Sequence, residues 1–401
     1  MSFDPEAVRR DIPLLDQDDP PIYFDNACMT LKPRPVIQAL TRYYEETPVC
    51  AGRSTYKLTA QVDRAVGSAR AAVARFLGAS RPEECVFLRN TTEAINLVAH
   101  GLDLPDGSTV LTTDREHNSN LVPWQRRAQN GLRHEAVAST QDEQVDLDAL
   151  EARLSQGDVS LVSVVHMSNL DGYVAPVKEI AELAHDHGAL VLVDGAQYAP
   201  HAPVDVQELG ADLYAFSVHK MMGPTGVGVL YGRYDLLETM DPLVVGGSTI
   251  QDTTLDAYTL RDPPGRFEAG LQDFAGILAT EATVDYLEAL DLAAVHRHEG
   301  TLSTRLQDGL EALGATTYGS PAARGNGIVS FSLPGLDIHQ LAILLEDKAN
   351  VLVRAGLHCL NSWFNARELQ GSCRASLYAY NTMAEVEACL EAVEAITKAI
   401  R

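Results

Sequence analysis

Lysine is scarce in this sequence, and acidic residues are in large excess. The chain has 401 residues with 31 basic and 55 acidic side chains, only six of the basic ones are lysine, and the formal net charge is −24. Such a surface repels phosphate backbones, which argues against nucleic acid as a general partner. The composition fits a protein adapted to a salt-rich cytoplasm, and GC-biased codon usage would explain it equally well.

Long apolar runs and paired-cysteine motifs are also missing. No apolar run approaches the roughly 18 residues of a membrane span, and the N-terminal MSFDPEAVRR is too polar for a signal peptide. The six cysteines include no CxxC pair, and a chain of this length does not depend on disulfides. We therefore expect a cytoplasmic protein with reduced thiols and no membrane partner.

Short β-rich runs alternate with helical patterns between about residues 85 and 232. Several of these runs are continuously apolar, which is typical of parallel strands buried on both faces. The alternation predicts an α/β domain with a mostly parallel sheet. The strand candidates are Cys85–Leu88, Val110–Thr113, Leu161–Val165, Leu190–Val193, Leu213–Phe216 and Val227–Tyr231.

The remainder of the chain has a different pattern. Residues 233–270 are rich in Gly, Pro and Thr and are expected to form a loop. Two long helices and an α+β pattern follow. We therefore predict an N-terminal segment (1–20) that packs with the small domain, a large domain (21–290) and a small α+β C-terminal domain (291–401).

Candidate catalytic residues lie directly after the predicted strands, where open α/β sheets bind their ligands. Asp194 opens the segment DGAQ and could hold a protonated ring nitrogen. Lys220 ends the segment SVHK and could form a Schiff base. Taken singly, a helix-capping Asp and a surface Lys before a turn explain these segments as well. The following GPTGVG lacks the GK[ST] ending of a phosphate-binding Walker loop.

Two further segments carry polar side chains after strands. Thr91 and Thr92 open a helix, and a helix N-terminus with hydroxyl donors is an anion site, although an ordinary helix cap fits equally well. His117 follows another strand, and a single histidine is more often structural than catalytic. Together the four segments supply a phosphate cradle, a ring-stacking histidine, a carboxylate and a lysine.

With these segments in place, the chain resembles the class V aminotransferase family of pyridoxal-phosphate enzymes, fold type I. Within that family it is most similar to the SufS-type (group II) cysteine desulfurases and selenocysteine lyases. The resemblance implies a large domain with a mostly parallel, seven-stranded type of sheet. The matching segments include YFDNACMTLKP (23–33), NTTEAINLVA (90–99), EHNSNLVPWQ (116–125), HMSNLDG (166–172), VDGAQYAPH (193–201), FSVHKMMGPTGVGVLYG (216–232), VRAGLHC (353–359) and CRASLYAYNT (373–382).

The resemblance implies a role for each matching residue. Lys220 would carry pyridoxal 5'-phosphate and move the substrate and cofactor protons, and Asp194 would pair with the ring nitrogen. His117 would stack on the ring and assist proton transfer. The remaining cofactor contacts would come from Gln197 at the ring hydroxyl, Asn169 near that hydroxyl and the substrate carboxylate, and Thr92, Ser217, His219 and the Thr91 backbone at the phosphate.

Two arginines and one cysteine complete the expected substrate site. Arg374 would grip the substrate carboxylate with a bidentate fork, a geometry lysine cannot copy, and Arg354 would be a second basic group nearby. Cys359 stands where the family has its sulfur-accepting cysteine, whose thiolate nearby His and Arg can favour. A buried, inert cysteine is the alternative for Cys359. Cys28 is interpreted chiefly as a packing residue, and Cys373 and Cys389 as core.

Several positions depart from the family pattern. Tyr56 and Leu357 stand where histidine is usual, and Leu271 replaces a threonine that reaches the neighbouring subunit's phosphate. The interval between the expected cysteine and arginine also carries Asn361, Trp363 and Arg367.

The expected function is that of an L-cysteine desulfurase, which converts cysteine to alanine and leaves a persulfide on Cys359. Its partners would be a sulfur-acceptor or iron–sulfur scaffold protein and a second copy of the chain in a homodimer. A C–S or C–Se lyase in which Cys359 is dispensable is the alternative. A binding protein on a decayed fold of this family is disfavoured by the intact Lys220, Asp194 and His117.

Overall fold

The large sheet is formed by seven strands and positions most of the candidate residues. In the computed structural model, which describes residues 3–400, the strand order is β2-β8-β7-β6-β5-β3-β4. Strand β8 is antiparallel to β2 and β7, and the other neighbours are parallel, which confirms the expected mostly parallel sheet. The bounds are β1 Ile22–Tyr23, β2 Cys85–Leu88, β3 Thr109–Thr113, β4 Arg133–Val137, β5 Val159–Val165, β6 Leu190–Asp194, β7 Leu213–Ser217 and β8 Gly228–Gly232.

Helices cover both faces of this sheet. In β6, Val191 and Val193 belong to one apolar cluster, and the intervening Leu192 belongs to another on the opposite face. This alternation is the period-2 geometry of a strand buried on both sides. The helices of the chain are α1 Pro5–Asp11, α2 Arg34–Glu46, α3 Lys57–Leu77, α4 Thr91–Gly101, α5 Asn118–Ala128, α6 Leu147–Leu154, α7 Val177–Asp186, α8 Tyr234–Thr239, α9 Phe274–Ala289, α10 Leu292–Ala312, α11 Ile338–Ala349, α12 Asn361–Ala366 and α13 Met383–Ile400.

A second, four-stranded antiparallel sheet lies in the C-terminal part of the chain, in the order β11-β12-β15-β14. It packs with α10, α11 and α13 around a separate apolar cluster, in which Cys373 and Cys389 are fully buried. Both cysteines therefore lie in the core, as expected. The remaining strands are β9 Ile250–Thr253, β10 Tyr258–Leu260, β11 Thr316–Tyr318, β12 Ile328–Ser332, β13 Val351–Leu352, β14 Arg354–Gly356 and β15 Ser372–Ser376.

The segment 233–270 is more ordered than its composition indicates. It contains α8 and the antiparallel hairpin β9–β10, whose residues are mostly exposed. Because neither strand of the hairpin is buried on one face, no apolar alternation marks it in the sequence. The expectation of a plain loop here is wrong.

The N-terminal segment contacts both parts of the molecule. Val8 and Ile12 join the apolar cluster of the large sheet, whereas Arg9 pairs with Glu385 of α13 at 2.6 Å. Strand β1 pairs in parallel with β13, and Phe24 lies in the core of the small sheet. The boundaries at residues 20 and 290 stay predictions.

Over residues 3–400, no helix combines the length and apolarity needed to cross a bilayer. All six cysteines are free thiols.

Candidate active site

A cavity of about 270 Å³ lies where the carboxyl ends of the large sheet meet the small sheet. The loops after β2, β3, β5, β6 and β7 form one wall, and β14, β15 and the segment before α12 form the other. All twelve residues predicted for the site line this cavity: Thr91, Thr92, His117, Asn169, Asp194, Gln197, Ser217, His219, Lys220, Arg354, Cys359 and Arg374. The structure thus brings the predicted residues together, and their individual roles stay predictions.

Lys220 ends a short 3-10 turn that continues strand β7. Burial lowers the pKa of its amine, and the facing Asp194 carboxylate partly opposes that shift. Burial likewise raises the pKa of Asp194, and Lys220 opposes it. A lysine with a lowered pKa keeps more of its amine neutral, which is the nucleophilic form.

The turn that carries Lys220 is held from outside by residues that the sequence did not single out. The carbonyl oxygen of His219 accepts hydrogen bonds from the Thr30 amide (3.2 Å), the Thr30 hydroxyl (3.1 Å) and Lys32 Nζ (2.9 Å). The Thr30 hydroxyl also accepts from the amide of Met222, whose φ is +64°. Burial lowers the pKa of Lys32 to about 7. Thr30 and Lys32 lie far from Lys220 in the chain; they belong to the matching segment 23–33, but that segment alone does not indicate their contact with His219.

Asp194 and Gln197 present acceptors to the cavity. Asp194 Oδ1 accepts from the Ala196 amide at 3.0 Å, and Gln197 Nε2 donates to the Ala27 carbonyl at 2.7 Å. That second contact orients the Gln197 amide and leaves its buried Oε1 without a partner. An unsatisfied buried oxygen next to a buried carboxylate fits a ring that carries both a hydroxyl and a protonated nitrogen.

The N-terminus of α4 forms an anion cradle. The Thr91 amide donates to Ser217 Oγ at 2.8 Å, and the Thr92 hydroxyl lies 2.7 Å from that of Ser119. Gly228 is required here, because a Cβ at that position would lie 2.5 Å from the Cα of Asn90, the helix cap. The helix dipole and the converging hydroxyls together suit a phosphate group. Burial lowers the pKa of the adjoining His219 to about 4, so its ring is neutral.

His117 caps α5 through its own side chain. Its Nδ1 accepts from the Ser119 amide at 3.0 Å, which places the ring proton on Nε2. Burial, reinforced by the charges of Lys220 and Arg374, lowers the pKa of His117 to about 3. The ring is therefore neutral and suited to stack against a flat cofactor.

Glu116, the residue before His117, is a buried carboxyl group that the sequence did not mark as functional. It accepts hydrogen bonds from the Thr113 hydroxyl (2.7 Å), the Asn120 amide group (2.7 Å) and the Val165 backbone amide (3.1 Å). Burial raises its pKa to about 7. These bonds tie the start of α5 to β3 and β5, and they fix the backbone that carries the His117 ring.

Arg354 and Arg374 lie directly opposite each other in the β14–β15 pair. Arg374 is almost fully buried; its Nη1 donates to the Asn169 carbonyl at 3.0 Å, and its Nη2 pairs with Asp25 at 3.2 Å. Arg374 Nε is buried and has no partner. An unpartnered guanidinium N–H beside a second arginine is suited to bind a carboxylate.

Cys359 lies in a short, tightly held turn before α12. His358 and Cys359 have φ values of +51° and +59°, a left-handed pair without glycine. The Asn169 side chain donates to the His358 carbonyl at 2.7 Å, and the Asn118 amide donates to the Cys359 carbonyl at 2.8 Å. The turn is therefore fixed to the large-sheet wall of the cavity, and the partly exposed thiol lines it.

The neighbouring histidine, His358, is held in its neutral form, and the expectation that nearby His and Arg favour the Cys359 thiolate stays a prediction. The His358 ring nitrogen Nε2 bonds to Ser372, and burial lowers the pKa of His358 to about 2. His358 is neutral and structural.

Glu143 is the main anchor of the helix after the cysteine, with further contacts from Asp114 to Arg367 and from Asn118 to Asn361. Glu143 accepts from Trp363 Nε1 at 3.0 Å and from two nitrogens of Arg367 at 2.8 and 2.9 Å. It also pairs with Arg115 at 3.0 Å. Trp363 and Arg367, which depart from the family pattern, therefore hold α12 against the large domain.

The other departures have distinct environments. Leu357 packs against the small apolar cluster beneath the cysteine turn, which includes Trp363 and Phe364. Tyr56 and Leu271 are exposed on the surface. Cys28 is not a core residue: it is partly exposed, lines the cavity and contacts Arg354.

The cavity fits pyridoxal phosphate at both ends, with an anion cradle, a stacking histidine, two ring acceptors and a buried lysine. The sequence model of the family "Aminotransferase class-V" matches residues 22–389. The chain belongs to this family, and its cofactor is pyridoxal phosphate.

More particular similarities point to one group within the family. The chain is 41% identical to a probable cysteine desulfurase of Halobacterium salinarum, over 98% of this chain and 96% of that protein. The structure of an apo cysteine desulfurase from Thermococcus onnurineus NA1 has a TM-score of 0.94 at 40% identity and covers 100% of this chain and 99% of that one. An Escherichia coli cysteine desulfurase, solved as its S-sulfonic acid form, has a TM-score of 0.92 at 31% identity and covers 100% of both chains.

Proposed function

We propose that this protein is a pyridoxal-phosphate-dependent L-cysteine desulfurase, in which Cys359 receives the sulfur of L-cysteine and the organic product is L-alanine. The observation that carries the proposal is the placement of the Cys359 thiol in the same cavity as Lys220 and Asp194, on a turn held by two hydrogen bonds. Full-length relatives of about 40% identity are named as enzymes of this type.

The mechanism begins with the substrate's orientation. Arg374 binds the carboxylate of L-cysteine through its unpartnered Nε, and Arg354 adds a second positive charge beside it. Pyridoxal phosphate, when bound, supplies an electron sink for charge that develops at the substrate α-carbon. The Lys220 amine, whose pKa is lowered by burial, takes the proton from that carbon.

Sulfur transfer then depends on the cysteine turn. The Cys359 thiolate attacks the substrate sulfur, so that an S–S bond forms on the enzyme as the C–S bond of the substrate breaks. The electron pair of the broken bond passes to the organic fragment, which takes up one proton at the carbon that lost sulfur, regains one at the α-carbon and leaves as alanine. Neutral His117 keeps its ring proton on Nε2, where it can serve in these proton transfers.

The decisive experiment compares wild-type enzyme with Cys359→Ala, and measures alanine, sulfide and pyruvate from L-cysteine. A desulfurase loses alanine and persulfide formation in the variant but keeps its bound cofactor and its binding of cysteine. A lyase expels the sulfur without a nucleophile, so the variant would still produce sulfide and pyruvate at the wild-type rate. Cys50→Ala, which changes a partly exposed thiol outside the cavity, is the matched control.

The partner of the reaction is a thiol-bearing sulfur acceptor, such as an iron–sulfur scaffold protein, because the persulfide must be discharged before the next turnover. The free cysteines agree with the reducing cytoplasm as its compartment. Mass spectrometry of the acceptor after incubation with enzyme and isotopically labelled cysteine tests this transfer.

A second copy of this chain is the other proposed partner. A groove of about 690 Å³ beside the start of α4 is lined by exposed apolar side chains, including Leu243, Val244 and Leu271. Such a patch next to the cofactor cradle is suited to a homodimer. Light scattering should give twice the chain mass of 43.4 kDa, and Val244→Glu should shift it toward the monomer.

A further inference from the structure

The substrate pocket contains a second thiol, Cys28, that the reaction described above does not use. Cys28 lies in the turn after β1, where its amide donates to the Asp25 carbonyl at 3.1 Å. Its Sγ accepts a hydrogen bond from Arg354 Nη1 at 2.9 Å. Both Cys28 and Arg354 line the cavity that contains Cys359 and Lys220.

The two arginines of the pocket are held in different ways. Arg374 is paired with the Asp25 carboxylate, which offsets much of its charge. In the described part of the chain, Arg354 has no ion pair, and the Cys28 sulfur is its side-chain partner. A thiol is a weak acceptor, so it orients the guanidinium without neutralising it.

We propose that Cys28 is a positioning residue for the substrate carboxylate. It holds the Arg354 guanidinium in the cavity that Arg374 also lines, so that both arginines are available to the same anion. Within residues 3–400, the close side-chain partner of Arg354 is a thiol, and the Asp25 carboxylate, which interacts electrostatically with both arginines, is paired with Arg374. The inference rests on the proposed function for the identity of the substrate, L-cysteine.

The first test measures the thiol itself and needs no turnover. The holoenzyme is alkylated with anionic iodoacetate or neutral iodoacetamide, and each cysteine is quantified by peptide mass spectrometry. For each cysteine, the alkylation rate with iodoacetate is divided by the rate with iodoacetamide. This ratio should be about threefold or more higher at Cys28 than at Cys50, because the two guanidiniums attract the anionic reagent. Arg354→Gln should remove most of that excess.

Three outcomes of the alkylation would overturn the proposal. Equal ratios at Cys28 and Cys50 would show that no anion-attracting field reaches the thiol. A ratio unchanged by Arg354→Gln would show that this contact is not its source. A Cys28 closed to both reagents would show that small anions do not reach this part of the pocket.

The second test compares Cys28→Ala, Cys28→Ser and Cys28→Asp, with Cys50→Ala as control. Cys28→Ala should raise the KM for L-cysteine by about three- to tenfold, with a smaller change in kcat. The Kd for L-alanine, measured from the change in cofactor absorbance, should rise by a similar factor. Cys28→Ser retains an acceptor and should restore most of the affinity. Cys28→Asp places a carboxylate against Arg354 and offsets its charge. This variant should therefore bind L-alanine more weakly than Cys28→Ala does.

A purely structural role for Cys28 predicts a different pattern. The melting temperature and kcat would then fall together, KM would stay constant, and serine would rescue no better than alanine. Tighter L-alanine binding in Cys28→Asp would also contradict the proposal. Alkylation and L-alanine binding do not require sulfur transfer, so failure of the desulfurase assignment at Cys359 would leave both readouts interpretable.

Discussion

At the scale of single residues, the chemistry of this protein depends on burial more than on residue type. Lys220, His117 and Glu116 each have a pKa displaced toward the neutral form, and burial is the largest cause in every case. Water would keep the lysine and the glutamate charged at neutral pH. Burial in the folded chain therefore favours the neutral form of the Lys220 amine and keeps the His117 imidazole neutral at neutral pH.

Lys220→Ala should remove the attachment of the cofactor. Only the Lys220 amine is placed beside Asp194, so no other group of the pocket can replace it. The purified variant should lack the visible absorbance band that borohydride bleaches in the wild type. A reducible band that persists unchanged in the variant would show that another amine holds the cofactor.

Glu116→Gln should change how stability depends on pH. Folding raises the pKa of this carboxyl from 4.5 to about 7, so the unfolded chain ionises first as the pH rises. As the pH rises from 4.5 to about 7, the free energy of unfolding of the wild type falls by about 3 kcal/mol in total. Above pH 7 the ionisation of Glu116 lowers it no further. The glutamine variant has no such titration.

The destabilisation caused by Glu116→Gln should therefore shrink by about that amount between pH 4 and pH 8. Urea unfolding of both proteins at a series of pH values measures the difference. A cost that is the same at both ends of the series would mean that folding does not change the pKa of Glu116.

At the scale of elements, the sequence was informative where strands are buried on both faces. Leu190–Val193 and Leu213–Phe216 were predicted to within one residue of β6 and β7, because an uninterrupted apolar run leaves few alternatives. Strand β4 was missed because RHEAV lies at the exposed edge of the sheet and carries mixed side chains.

The same contrast holds within the active site. The twelve predicted residues line one cavity, since each follows a strand or belongs to a matching segment. Thr30, Lys32 and Glu143 were not predicted, because each acts through a contact with a segment distant in sequence. Glu143 lies in none of the matching segments, and Thr30 and Lys32 lie in one (23–33) whose sequence alone does not show what they contact.

Glu143→Gln should loosen helix α12 and the adjoining Cys359 turn. Glutamine has the same side-chain length as glutamate, so it suits the left-handed backbone of position 143 equally well. It lacks the negative charge that pairs with Arg367 and Arg115. Acrylamide should quench the fluorescence of Trp363 more strongly than in the wild type. The rate of alkylation of Cys359 should increase about two- to fivefold.

Asp142→Asn is the matched control, because it removes a neighbouring carboxylate that is exposed. If Glu143→Gln and Asp142→Asn give the same quenching and alkylation rates, Glu143 does not restrain the turn. The second tryptophan, Trp124, is fully buried in the large domain and should be unaffected in both variants.

At the scale of the whole molecule, the excess of carboxylates is the dominant electrostatic feature. A net charge of −24 on one chain produces self-repulsion that opposes the compact state. Salt screens such repulsion over about 8 Å at physiological ionic strength and about 3 Å at 1 M.

The melting temperature should therefore rise between low and molar salt. Sodium chloride and potassium chloride should act similarly if screening is the cause, and differential scanning fluorimetry over the series measures the effect. A melting temperature that does not rise with salt would leave biased codon usage as the explanation of the composition.

The pairing of β1 with β13 also determines the order in which the molecule can be completed during synthesis. Residues 22–24 find their strand partner and their core only after residues 351–352 have emerged from the ribosome. The large sheet, whose last strand ends at Gly232, can form long before that point. Asp25 and Cys28 meet Arg374 and Arg354 only when the C-terminal strands arrive. The nascent chain therefore acquires the strands and helix that form its cofactor cradle before its substrate-binding arginines, and the last residues of the large-sheet core, Tyr378–Tyr380, arrive later still.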